Sequence, residues 1–173
     1  SAPPAVPLTI EGRGVHAAAP PQSLDAVVVA AYAVTALQTV VSRSVAPSDT
    51  AVLTIGKITG GFRGNVIAES ATMTGTIRSY TDAVRSTMLR RTEEIIAGVC
   101  AAFGATFAFE HTTSCPPLVN DAALAAFVRD EAEAYFGPTS VVAAPTMGAE
   151  DMSVFLQARP GCYFWLGARN EAK

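Results

Sequence analysis

Three observations predict a mixed α+β fold. Up to about residue 112, extended and helical stretches follow one another in the order β, α, β, β, α, β. Within the third extended stretch, Ala71, Met73, Gly75 and Ile77 alternate with Thr72, Thr74, Thr76 and Arg78, the period of two expected of a sheet with one buried and one polar face. After Pro116 and Pro117 the pattern changes to helices alternating with short apolar strands. The first order is that of the split βαβ, ferredoxin-like unit, a four-stranded antiparallel sheet with two helices on one face. The second reads as the edge of a parallel α/β sheet, and two helices with two strands are too few for such a domain by themselves. The expected division is residues 5–114 for the ferredoxin-like unit and 118–173 for a partial α/β segment.

Each element has a local reason. Val6 to Glu11 is extended in type, and Gly12 with Gly14 then interrupts it. Ser23 or Asp25 can cap a helix running to about Ser42, before Pro47. Val27, Val28, Val29, Tyr32, Val34, Leu37, Val40 and Val41 cannot share one face of it, so this helix asks for cover on more than one side. Ala51 to Ile58 reads as a strand, the glycines at 60, 61 and 64 as a turn, and Asn65 to Tyr80 as a long strand or a bent pair. Thr81 or Asp82 starts a second helix with Val84, Met88, Ile95, Val99 and Phe103 inward, and Gly104 stops it ahead of a strand from Ala105 to Thr112. The last part reads as a helix from Ala122 to Phe136 with Leu124, Phe127, Val128 and Tyr135 inward, a strand from Ser140 to Ala144, a short helix from Asp151 to Leu156 and a strand from Cys162 to Leu166.

Composition narrows the function classes. The 173 residues are 50% hydrophobic and 16% charged, enough to bury a core, and a net charge of −3 without a basic block offers nothing to nucleic acid or to an anionic membrane surface. The apolar run from Ala26 to Leu37 is shorter than the roughly 20 residues a bilayer span needs, so a buried helix is expected. Cys100, Cys115 and Cys162 are odd in number and without a CxxC pairing, which fits a reducing, cytoplasmic setting better than a disulfide framework or a structural zinc site. No HExxH, close histidine pair, GxSxG, GxGxxG or P-loop is present.

Three residues carry candidate chemistry, each with a plain structural alternative. His16, in a glycine-rich loop after the first strand, can steady a carbonyl oxygen as charge develops on it, or simply be satisfied by a backbone carbonyl. Asn65 can hold a substrate carbonyl or carboxylate, or serve as a turn residue after Gly64. Arg78, on the polar sheet face, can grip a carboxylate through two parallel hydrogen bonds, or be an ordinary exposed arginine. In Met147 to Asp151, "MGAED", the two carboxylates suit the start of a helix, and His111 beside Glu110 reads as a strand residue at a surface or edge.

Taken in order, "GRGVHAAAP", "LQTVVSR", "ITGGFRGNVI", "GTIRS", "PPLVND" and "MGAEDMSVFL…PGCYFWLG" resemble the zinc-dependent amidohydrolase and aminoacylase family that includes hippurate hydrolases, N-acyl-amino-acid amidohydrolases, auxin-conjugate hydrolases and bacterial glutamate carboxypeptidase. The resemblance implies a lid domain, through which members usually form a homodimer, inserted in a catalytic α/β domain that holds two divalent metal ions, zinc first among them. It implies a small N-acyl amino acid type substrate whose amide bond is hydrolysed. It also implies that His16 reaches the partner subunit's active site to stabilise the oxyanion, that Asn65 binds substrate near the scissile carbonyl or carboxylate, and that Arg78 holds the substrate carboxylate. The family's metal ligands and general-base glutamate have no counterpart here, so this chain alone is expected to be inactive. Cys115 and Ala68 stand where the family has tyrosine and proline. The competing expectation is a non-catalytic dimeric module that binds a small carboxylate.

Overall fold

The computed structural model describes residues 6–111, 115–138, 140–142, 145–148 and 150–167. The chain divides into two compact units, with the boundary between residues 114 and 115.

In the first unit the elements run β1 (Val6–Glu11), α1 (Ala26–Ser44), β2 (Ala51–Gly60), β3 (Ser70–Ser79), α2 (Asp82–Phe103) and β4 (Thr106–Phe109). The strands form one antiparallel sheet in the order β2-β3-β1-β4, so the two βαβ halves interlock as the ferredoxin-like reading requires. Register follows the alternation of apolar side chains. Leu8 lies opposite Met73 and Ile10 opposite Ala71, and all four are buried with Ile77 under the two helices. The intervening Thr9, Thr72, Thr74, Thr76 and Arg78 belong to the other face.

Helix starts are capped by side chains. Asp25 Oδ1 accepts from the amides of Val27 and Val28 at 3.0 and 3.3 Å, and Thr81 Oγ1 accepts from that of Val84 at 3.3 Å. Gly104 closes α2 in the left-handed region at φ 74°. By length and composition α1 is long and apolar enough to cross a membrane, longer than the run from Ala26 to Leu37 suggested. Its Ala26, Val29, Ala30, Ala33, Leu37 and Val40 are instead buried in the core of this unit. Val27, Val28 and Tyr32 remain exposed, which answers the expectation of cover on every side only for the core-facing side.

Several expectations need correction. The fully buried residues of α2 are Met88, Thr92, Ile96 and Cys100, with Val84, Ile95 and Val99 packed half-buried against the same core, whereas Phe103, expected inward, falls off this face to an exposed site against the Tyr32 ring. Asn65 does not begin a strand: β3 starts at Ser70, because Gly61 takes φ 69° and the amide of Val66 turns back to the carbonyl of Arg63. The strand expected from Ala105 to Thr112 pairs only over β4, its residue 112 lying outside those described.

The second unit contains α3 (Ala122–Phe136) and α4 (Met152–Ala158). Asp121 Oδ1 caps α3 through the amides of Ala123 and Leu124. Leu124, Phe127 and Tyr135, expected inward, are exposed, since no layer formed by the described residues of this unit covers them. Residues 162–166 and 140–142 are not strands: a strand needs a ladder partner, and the described residues supply none. Residues 143 and 144 of the expected strand lie outside those described.

Candidate active-site loops

His16 and Asn65 are brought together by backbone pairing beyond the end of β1. Here the chain after β1 runs antiparallel to the segment before β3, with His16 bridged to Val66. The amide of Gly12 donates to the carbonyl of Glu69 at 2.7 Å, that of Ile67 to Val15 at 2.8 Å and that of Ala17 to Asn65 at 3.0 Å. The glycines of "GRG" make this approach feasible. A Cβ on Gly12 would lie 2.3 Å from the Leu24 carbonyl oxygen, and one on Gly14 would lie 2.9 Å from that of Ile67.

Both side chains are exposed. The Nδ1 of His16 accepts a hydrogen bond from the Ala18 amide at 3.1 Å, so the ring is not satisfied by a backbone carbonyl, and among the described residues nothing bonds its Nε2. Asn65 has no positive φ, which removes the usual backbone reason for asparagine in a turn. Its backbone carbonyl is engaged with Ala17, and its side-chain amide has no partner among the described residues.

Arg78 is not part of this cluster. It lies opposite Val52 at the far end of β3, about 26 Å from Ser70 at a strand rise of about 3.3 Å per residue. It is half-buried and engaged with its surroundings.

Sequence reasoning missed a polar clamp in the second unit. Asn120 pairs with the backbone of Tyr163 in both directions, its Nδ2 donating to the carbonyl and its Oδ1 accepting from the amide, each at 2.9 Å. The Asp121 amide extends this link to the Gly161 carbonyl at 2.9 Å. The Tyr163 hydroxyl donates to Glu150 Oε2 at 2.9 Å, and that bond to a carboxylate pushes the phenol's pKa upward, with burial adding to it. Of the two carboxylates in "MGAED", Glu150 accepts from the Met152 amide at the start of α4, whereas Asp151 makes no capping bond. The one available signal was the pair "ND" before a helix, which points to the Asp121 cap but not to a partner forty residues on. His111 is exposed, with its ring near that of Phe109.

No group of three or more His, Cys, Asp or Glu side chains among the described residues is placed to hold a metal ion. The described residues therefore do not form the two-metal centre implied by the resemblance, and no step of chemistry is routed through metal on them.

The fold and the order of the motifs define a chain of the amidohydrolase and aminoacylase metallopeptidases. It belongs to Peptidase family M20/M25/M40, whose profile matches residues 9–173. It is 41% identical over 172 residues to an N-acetyldiaminopimelate deacetylase of Lactococcus lactis subsp. cremoris (strain SK11), matching 96% of this chain and 45% of that protein. An N-acetyl-L-cysteine deacetylase of Bacillus subtilis (strain 168) is 36% identical over 159 residues, covering 91% of this chain and 38% of the relative. The chain thus spans less than half the length of these relatives. A crystal structure of a protein from methicillin resistant Staphylococcus aureus superposes with a TM-score of 0.77 at 32% identity, over 91% of this chain and 41% of that one. A Bacillus subtilis dinuclear metal binding peptidase of the M20 family shares the fold with a TM-score of 0.68 at 24% identity, over 91% and 38% of the two chains.

Proposed function

We propose that this chain supplies the lid and part of the catalytic domain of a cytoplasmic, metal-dependent amidohydrolase that cleaves the amide bond of small N-acyl amino acids. Deacetylases among the relatives support the substrate class, and three free cysteines support the reducing setting. Two divalent ions, zinc by the family resemblance, would be held by residues other than the described ones and would supply the activation of water. The lid's own contribution is placement. His16 offers Nε2 to the carbonyl oxygen that becomes negative, Asn65 holds the neighbouring carbonyl or carboxylate, and Arg78 grips the substrate carboxylate.

The observation that carries this reading is the separation of His16 and Asn65 from Arg78 by the length of a strand. One lid cannot bring all three to one small substrate. We infer a homodimer in which each site takes His16 and Asn65 from one subunit and Arg78 from the other. The edge strand β2 and the neighbouring side of α1, with Val27 and Ile58 exposed, offer the apolar surface for a second copy.

Mixing subunits of the whole enzyme tests this. His16→Ala and Arg78→Ala homodimers should each lose most turnover. After random re-association, half the dimers are hybrid and each hybrid has one intact site, so turnover should return to about a quarter of wild type. Mixtures as inactive as the parent variants would show that the three residues act within one subunit.

A further inference from the structure

We propose that the main-chain amide of Ala18 is a positioning group that holds His16 as the Nε2–H tautomer, making its outward nitrogen a hydrogen-bond donor. The inference rests on the reading of His16 as a donor to substrate and adds what sets its polarity. The residues "HAAA" form a tight reversal in which three successive amides are each used. Ala17 donates to the Asn65 carbonyl at 3.0 Å, Ala18 to His16 Nδ1 at 3.1 Å and Ala19 to the His16 carbonyl at 2.9 Å. A backbone amide can only donate, so Nδ1 must present its lone pair. In the uncharged ring the single proton then resides on Nε2.

Two features make the arrangement more than a local turn. The first and third amide bonds fix the backbone on either side of Ala18, so the middle amide is aimed at the ring rather than free to find water. Among the described residues no other group bonds the ring, and the tautomer is therefore decided by Ala18 alone. With the opposite tautomer, Nε2 would meet a developing oxyanion lone pair to lone pair. An accepting Nδ1 thus converts an exposed histidine into a donor of fixed direction without a buried carboxylate behind it.

The chain has only two histidines, so the ring nitrogens can be read directly by 15N NMR at alkaline pH, with His111→Gln giving the assignment. The unfolded peptide GRGVHAAAP serves as the unrestrained reference. In the folded chain the two His16 nitrogens should lie further apart in shift than in the peptide, with Nε2 at the protonated end. Ala18→Pro, which removes the donor, should bring the separation back to the peptide value, while Ala18→Gly, which keeps it, should not. Should the proline disturb the loop, exchange of the Ala18 amide gives an independent reading: His16→Ala should speed it by between about two- and tenfold, the loss of one hydrogen bond. A peptide-like separation in the folded chain, a proton on Nδ1, or unchanged Ala18 exchange would each overturn the proposal. None of these readouts involves turnover, so failure here leaves the subunit-mixing result standing, and the reverse also holds.

Discussion

The two units of this chain bury their apolar residues to very different degrees. In the first, Leu8, Ile10, Leu37, Met73, Met88 and Ile96 are at most 2% exposed and form a single core between the sheet and its two helices. In the second, Phe127 is 61%, Tyr135 83% and Trp165 70% exposed, and the only described residue that is fully buried is the polar Ser153. Composition does not explain the contrast, since both segments are rich in apolar residues. Topology does: a split βαβ unit closes its own sheet and covers it with its own helices, whereas among the described residues of the second unit two helices stand beside extended segments without a ladder partner, which cannot enclose a core. The first unit is held by packing, and the second by a few polar links centred on Asn120 and Glu150.

The sharpest way to break this comparison is to remove apolar volume from each unit. Leu37→Ala should destabilise the first unit by about 2 to 5 kcal/mol in urea unfolding followed by circular dichroism, because a buried leucine leaves a cavity. Phe127→Ala should change stability by less than about 0.5 kcal/mol, as an exposed side chain does. Equal effects would mean that the second unit has a core of its own. Next in size is Asn120→Ala, which deletes both bonds to the Tyr163 backbone and leaves its polar groups unpaired. Hydrogen exchange at the Tyr163 amide should report a loss of about 1 to 3 kcal/mol, with protection in β1 and β3 untouched. Within the well-packed core one atom is out of place: Thr92 is 4% exposed and its Oγ1 has no hydrogen-bond partner. Thr92→Val keeps the shape and removes the unpaired hydroxyl, so it should raise stability by about 1 kcal/mol. A lower melting temperature for that variant would show that the hydroxyl is satisfied in solution.

The same contrast decides what the sequence could reveal. Where a unit closes on itself, local signals suffice: the alternation from Ala71 to Arg78 sets the sheet face, Asp25 and Thr81 mark helix starts, and Gly104 marks a stop. In the second unit, apolar runs such as Cys162 to Leu166 have the composition of strands, but a strand exists only with a neighbour, and composition does not say whether one is present. At the candidate site, residue types and motif order singled out His16, Asn65 and Arg78. The pairing of the first two and the separation of the third arise from a register between distant segments, Val15 against Ile67 and Ala51 against Ser79, that no local pattern encodes. The Ala18 amide was invisible for a simpler reason: every residue but proline has one.

The smallest expected effect concerns the link between Tyr163 and Glu150. The phenol donates to a carboxylate, and ionising it would place two negative charges side by side, which is why its pKa lies above the ordinary tyrosine value. A group whose pKa is raised by folding contributes its stability fully below the ordinary value, about 10 for tyrosine, and loses it as pH rises through the higher folded value. Because the residue is only half-buried and water screens the pair, the effect should be seen in the titration rather than in the melting temperature. Among the four tyrosines, one should ionise later than in the unfolded chain, and Tyr163→Phe should remove that late step from the alkaline ultraviolet titration. Glu150→Gln should keep a hydrogen-bond acceptor but remove the charge, moving the step back toward the ordinary range. If Tyr163→Phe removes a step in the ordinary tyrosine range and Glu150→Gln leaves the titration unchanged, the clamp does not hold Tyr163 to Glu150 in solution.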